Sequence, residues 1–370
     1  MHISEVKTRK ELKQFIAFQR KLYKGNDNYV PPLDRMEKEF FSPKNVMADR
    51  CLSKLWIAKE DNRIVGRIAA IINPTYNAEQ KIKQARFSHF DSINNQEVAN
   101  ALFATAEEWA KQQKMEELIG PFGFNNLDKH GLLVEGYDIL ACQSSNYNYP
   151  YYKELVETYG FSKRHDWVER TIAVPKKAPE KLTRLSKVLR ERSALHSVDL
   201  SNKEILKAYT PRILDLYNDT YAKLYGVSPL NKEQKEYLLK SFIPMLNTEF
   251  VSVIVDDDDN ILAFGIAMYS LSRSLQKANG QLFPLGFMHL MRNKRNNPTL
   301  DLLLIGIHPD YRRKGLNALI FDDIQKGIYK NGITTIETTQ NLDSNISVQN
   351  LWSHYDSVLN RRARLYQKVL

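Results

Sequence analysis

Leu300-Asp301-Leu302-Leu303-Leu304-Ile305-Gly306-Ile307-His308-Pro309-Asp310-Tyr311-Arg312-Arg313-Lys314-Gly315-Leu316-Asn317-Ala318-Leu319 decides the reading of this chain. An apolar run of strand length, 300–307, ends at Pro309. Three consecutive cations follow, Arg312, Arg313 and Lys314. Gly315 and small residues then open an amphipathic helix expected over about 315–330. A helix N-terminus presents free N–H groups and the positive end of the helix dipole, so it attracts phosphate. Glycine lets the backbone come close to a ligand, and successive N–H groups form an anion nest.

The same order of elements is legible twice. In the first half, the sequence predicts a helix at 5–23, a hairpin at 55–72, a strand at 85–93 and a helix at 95–115. A strand at 116–124, a helix at 151–161 and a strand at 166–174 complete that half. Val174-Pro175-Lys176-Lys177-Ala178-Pro179 reads as a linker. The second half predicts helices at 204–225 and 231–246, a hairpin at 250–270, the strand–loop–helix above, and a strand at 333–339. A helix at 345–357 and a strand at 362–370 end the chain. Asn100-Ala101-Leu102 echoes Asn317-Ala318-Leu319, and the turn before Gly66 echoes the turn before Gly265. The shared order implies an internal duplication, with domains at 1–175 and 176–370.

The strand–Pro–Tyr-Arg-Arg–Gly–helix pattern resembles motif A of the GNAT superfamily of N-acetyltransferases. The resemblance implies an α+β fold: two tandem GNAT-like domains, each a mostly antiparallel sheet flanked by helices. It implies acetyl-CoA as co-substrate and transfer of an acetyl or other short acyl group to an amine acceptor. The pyrophosphate would sit on Arg312, Arg313, Lys314, Gly315, Leu316, Asn317 and Ala318. Backbone groups of Ile305 and Ile307, with Gly306 between them, would face the pantetheine arm, and Asn345 would also contact it. Asn317 stands where the family usually has a second glycine.

For proton transfer the resemblance points to Asp301 as first base candidate and Glu337 as second. Asp301 lies six residues before Ile307, so strict alternation would put the two on one face. The family's usual acid is a Tyr where this chain has Trp352, and Tyr355 is the nearest substitute. The first copy lacks the loop: Asn95, Gln96 and Glu97 align with the three cations, and Glu97 would repel a pyrophosphate. That copy is expected not to bind CoA.

Composition sets the outer limits. The 370 residues are 43% hydrophobic, enough for packed cores. Two cysteines give neither a disulfide framework nor a metal-ligand spacing, so no metal is expected. No apolar run has the length of a membrane span, and no signal sequence is legible, so a cytoplasmic protein is expected. Of the net charge of +10, about +8 falls in 176–370, where Lys+Arg number 28 and Asp+Glu 20. That field favours an anionic ligand. No zinc finger or Arg-rich run accompanies it, so nucleic acid is not an expected partner. The acceptor is expected to be a small molecule or peptide amine, and the sequence does not specify the oligomeric state. Two other readings fit the same residues: a non-catalytic CoA-binding sensor or scaffold, and an aminoacyl- or long-chain acyltransferase.

Overall fold

The computed structural model describes residues 1–292 and 297–370, and at 353–354 the backbone only. The first half comprises strands β1 (His2–Glu5), β2 (Leu52–Glu60), β3 (Arg63–Ile72), β4 (Gln84–Ser92), β5 (Glu117–Gly120), β6 (Leu132–Glu135) and β7 (Ser162–Ala173). Its helices are α1 (Arg9–Leu22), α2 (Asp34–Phe40), α3 (Pro74–Gln80), α4 (Gln96–Gln112) and α5 (Tyr151–Thr158). The second half has β8 (Leu195–Ser197), β9 (Val251–Asp256), β10 (Ile261–Tyr269), β11 (Thr299–Ile307), β12 (Thr335–Thr338), β13 (Asn341–Leu342) and β14 (Ser357–Val369). Its helices are α6 (Glu180–Arg192), α7 (Lys203–Tyr221), α8 (Lys232–Phe242), α9 (Ser272–Ala278), α10 (Gly286–Met291), α11 (Leu316–Lys330) and α12 (Ile346–Gln349).

These strands join one sheet in the order β1-β2-β3-β4-β5-β14-β7-β12-β11-β10-β9-β8, with β6 on β14 and β13 on β7. The pairing is antiparallel except at β4–β5 and β11–β12. The two halves exchange their last strands. β14 pairs with β5 of the first half, Tyr366 opposite Gly120, while β7 pairs with β12 of the second, Thr335 opposite Ala173. β7 and β14 then pair with each other from Ser357–Ile172 to Gln367–Ser162. Leu365 and Tyr366 are fully buried at this junction.

Each half packs one long helix on its sheet at a glycine. A Cβ on Gly66 would stand 2.7 Å from Leu102 and 3.1 Å from Val98 of α4. A Cβ on Gly265 would stand 2.3 Å from Ile320 and 3.2 Å from Ile324 of α11. Residues four apart on a helix share a face, so each glycine admits one helical ridge. The Gly66–Gly265 echo in the sequence therefore has a packing cause.

Several elements differ from expectation. The chain starts as a strand, and α1 begins only after Thr8, whose side chain caps it. Helices α2, α3, α6, α9 and α10 have no counterpart among the helices expected from periodicity. The helix expected at 345–357 stops at Gln349 and tightens into a 3₁₀ turn at Asn350–His354, and the last strand begins at Ser357.

Candidate active site

The parallel strands β11 and β12 stay in register from Thr299–Thr335 to Leu302–Thr338, then part. Beyond that point β11 keeps only its β10 neighbour. The His308 N–H donates to Leu262 O at 2.8 Å. In an antiparallel ladder the bonded residues alternate, so Gly306 and Leu304 turn their backbone groups to β10. Ile305 and Ile307 therefore turn theirs into the gap. The Tyr221 hydroxyl, at the end of α7, donates to Ile305 O from that side at 3.0 Å. Gly306 has a different reason to be glycine: a Cβ there would lie 2.3 Å from the Phe264 ring.

The loop after β11 leaves the start of the next helix uncapped. Arg313 and Gly315 both adopt left-handed backbone, φ 64° and 83°. Gly315 is the N-cap of α11 and supplies no side-chain cap. The N–H groups of Leu316 and Asn317 consequently meet no acceptor among the described residues. The Arg312 guanidinium donates to Thr220 O at 3.3 Å, tying the loop to α7. The Lys314 ammonium rests 4.4 Å from the centre of the Tyr311 ring. Asn317 sits in the first turn of α11, not in a left-handed turn, so its replacement of a glycine costs the loop no backbone geometry. The first half contrasts. The Asn95 side chain accepts from the Glu97 and Val98 N–H groups at 2.8 and 3.3 Å, so α4 caps itself with the groups a phosphate would use.

A cavity of ≈ 1930 Å³ opens from this gap and runs between the halves. Ile305, Gly306, Ile307, Arg312, Arg313, Asn317 and Asn345 line it; Lys314, which is exposed, Gly315, and the buried Leu316 and Ala318 are not among the lining residues. Its walls are mainly apolar, with Leu214 and Tyr217 of α7, Leu238 of α8 and Leu302–Leu304 of β11 on one side. Leu33, Phe122 and Leu132 of the first half close the other.

The three expected proton-transfer residues are not brought to this cavity wall. A bulge inserts Leu303, because Ile266 faces Leu304 while Ala267 faces Leu302. The extra residue breaks the alternation assumed from the sequence, and Asp301 falls on the opposite face from Ile307. Asp301 is fully buried, 3.8 Å from the Cys142 sulfur. Its Oδ1 has no hydrogen-bond partner among the described residues. Burial, then the neighbouring Glu337, pushes its carboxyl up to about 8. Glu337, opposite Asp301 in the register, is raised by burial and by Glu169. Tyr355 packs with Phe321 and Trp352 around a separate ≈ 60 Å³ pocket, because the 3₁₀ turn carries it to that side.

Sequence reasoning passed over His130, which does line the cavity. It stacks on Phe122 and meets Trp167, with ring centres 5.3 and 4.5 Å away. Its Nδ1 is 2.8 Å from Asp128 O, an acceptor, so Nδ1 carries the proton and Nε2 keeps a lone pair. Burial lowers its pKa to about 4, which holds the ring neutral. Gln340 Nε2 donates to His130 O at 3.1 Å, and the adjacent Thr339 N–H donates to Leu302 O at 3.2 Å. The imidazole thus belongs to the first half yet is fastened beside the parting strands of the second. The one local signal for it is the Asp128-Lys129-His130 cluster ahead of a glycine.

Among the described residues no group of His, Cys, Asp and Glu could hold a metal ion, and no helix is long and apolar enough to cross a membrane. No protein-family profile matches the chain. Protein YghO of Escherichia coli (strain K12) is 26% identical over 373 residues, 97% of this chain and 93% of that protein. A bacterial ceramide synthase of Caulobacter vibrioides is 25% identical over 301 residues, 79% of this chain and 76% of that protein. Among solved structures, a tandem GNAT protein from the clavulanic acid biosynthesis pathway superposes with a TM-score of 0.57 at 12% identity, covering 100% of this chain and 98% of the other. A GCN5-related glucosamine N-acetyltransferase region of a fungal multi-domain β-N-acetylglucosaminidase gives 0.57 at 12% identity over 99% of this chain and 38% of the other. The doubled helix-on-sheet unit, the parted parallel strands and these superpositions together show that the chain carries the tandem GNAT fold over its full length.

Proposed function

We propose that the protein is an N-acyltransferase that takes an acyl group from an acyl-CoA and passes it to an amine, and that the acyl chain, the acceptor or both are long and aliphatic. The cavity carries this reading. At ≈ 1930 Å³ it exceeds the roughly 300–1,000 Å³ of ordinary small-ligand pockets, and its walls are mainly apolar, with many leucines, tyrosines and phenylalanines. Acetyl transfer needs no such volume. The name of the Caulobacter relative, a ceramide synthase, is in keeping with a lipid amine.

The anion loop fits the pyrophosphate of CoA: uncapped N–H groups, a left-handed glycine and flanking arginines. Ile305 and Ile307 offer the pantetheine arm a strand edge, as in β-augmentation. His130 Nε2 accepts the proton that the amine gives up as its nitrogen bonds to the acyl carbon. As the C–S bond breaks, the Tyr221 hydroxyl turns from Ile305 O to the departing sulfur and gives it a proton, and Tyr221 is reprotonated as His130 gives up the proton it took from the amine. Asp301, held protonated near neutrality by burial, and Glu337, raised by burial, lie behind the wall. The first copy lends the imidazole and half the cavity, and its self-capped α4 binds no CoA.

Thermal unfolding with acetyl-CoA and with hexadecanoyl-CoA tests the reading. A ligand at about 100 times its Kd adds about 2.7 kcal/mol. Both should raise the midpoint, the long chain at lower concentration. Gly315→Glu should abolish both shifts, since it puts a side chain at φ 83° and a negative charge next to the uncapped start of α11. Equal potency of the two ligands would return the protein to short-chain chemistry. Binding without thiol release in the presence of long-chain amines would make it a sensor.

A further inference from the structure

We infer that the segment carrying α9 and α10 is a docking surface for an anionic lipid bilayer, set at the rim of the cavity. Four large apolar side chains stand in solvent there: Phe283 is 76% exposed, Leu285 60%, Phe287 39% and Met291 74%. A cluster of this kind on one short stretch is not ordinary surface. Its charge is one-sided. From Ser272 to Arg292 the sequence has Arg273, Lys277 and Arg292 and not one Asp or Glu. Apolar side chains interspersed with cations only are the chemistry of an interface with anionic headgroups: the rings and aliphatic chains enter the acyl boundary and the cations meet phosphate.

The segment is continuous with the cavity mouth. Met291 lines the cavity and is exposed, as are Met36 of α2, Phe242 of α8 and Met245 just beyond it. These elements are fastened into one rim. Asp34 N–H at the start of α2 donates to Gly280 O at 2.8 Å, joining α2 to the α9–α10 connection. Farther along, Gln234 of α8 donates to Val46 O and Asn231 to Asp49. An apolar molecule leaving a bilayer held against this rim enters the cavity without crossing water. The docking surface itself stands on exposure and charge and does not depend on the acyl-transfer reading.

Vesicle sedimentation tests it, with phosphatidylcholine alone against equimolar phosphatidylcholine and phosphatidylglycerol. The wild-type chain should bind the anionic vesicles, more weakly as salt rises. Phe283→Asp combined with Leu285→Asp should weaken that binding by at least about tenfold. Both side chains are exposed, so the far-UV circular dichroism and unfolding midpoint should not change. Absence of wild-type binding at low salt, or equal binding by the double variant, overturns the inference. So does a wild-type dimer in solution that the double variant splits, which would make the patch a contact between copies.

Discussion

His130→Gln should lower kcat for acyl transfer by about two to four orders of magnitude and leave acyl-CoA affinity unchanged. The range is that of a positioned general base. Glutamine can still donate to Asp128 O, so the local fold is kept, but it has no lone pair of imidazole basicity to offer. The anion loop lies on another element, so the thermal shift with acyl-CoA should be that of the wild type. The pH dependence follows from the direction of the shift. His130 titrates near 4, so the free enzyme should show no acid limb of its own above about pH 5. Its neutral burial also couples to stability. Between the unfolded value near 6.5 and the folded value near 4, the unfolded chain binds the extra proton, so this contribution is lost as pH falls through that window. Activity of His130→Gln within a few-fold of wild type would remove the residue from the chemistry.

Asp301→Asn should flatten the dependence of stability on pH between about pH 4 and pH 8. The folded carboxyl titrates near 8 and the unfolded one near 3.9, so the folded state holds the extra proton between them. Stability from this group is therefore complete below about pH 4 and declines as pH rises to 8, by about 1.4 kcal/mol per pH unit. Between pH 6 and pH 8 the wild type should lose about 2 kcal/mol more than the variant, read from denaturant midpoints at each pH. The amide has no charge to bury, and it can bond the Cys142 and Ser270 neighbours. Parallel pH profiles for the two proteins would show that Asp301 is ionised in the folded state, and would return it to consideration as a base.

The strand–loop–helix at 300–330 was legible because its signals are local. Pro309, the three cations and Gly315 act through the backbone of consecutive residues, and the uncapped start of α11 follows from them. That the backbone groups of Ile305 and Ile307 turn away from β10 follows from strand alternation, which runs straight through them to His308. The alternation expected between Asp301 and Ile307 is broken by one bulge: the extra residue Leu303 puts Asp301, opposite Met268, on the face that Leu304 takes opposite Ile266. Tyr355 was misplaced because the sequence pattern of 345–357 is helical, while the chain turns at Ser357 into a long strand whose partners are distant in sequence. His130 was passed over for a related reason. It sits in the copy without the loop, and only long-range pairing brings Gln340 against it. The acid-free stretch from Ser272 to Arg292, by contrast, was there to be read, since charge and aromatic content need no fold.

The exchange of terminal strands bears on how such a chain is made and kept. The edge at Glu117–Gly120 waits for residues 366–369, so the first half of the sheet cannot close until those residues have left the ribosome. Neither copy of the duplicated unit is a free-standing gene product in waiting. A deletion that trims one takes a central strand from the other. The first half, whose α4 is capped by Asn95, therefore remains indispensable as the partner that completes the sheet of its twin.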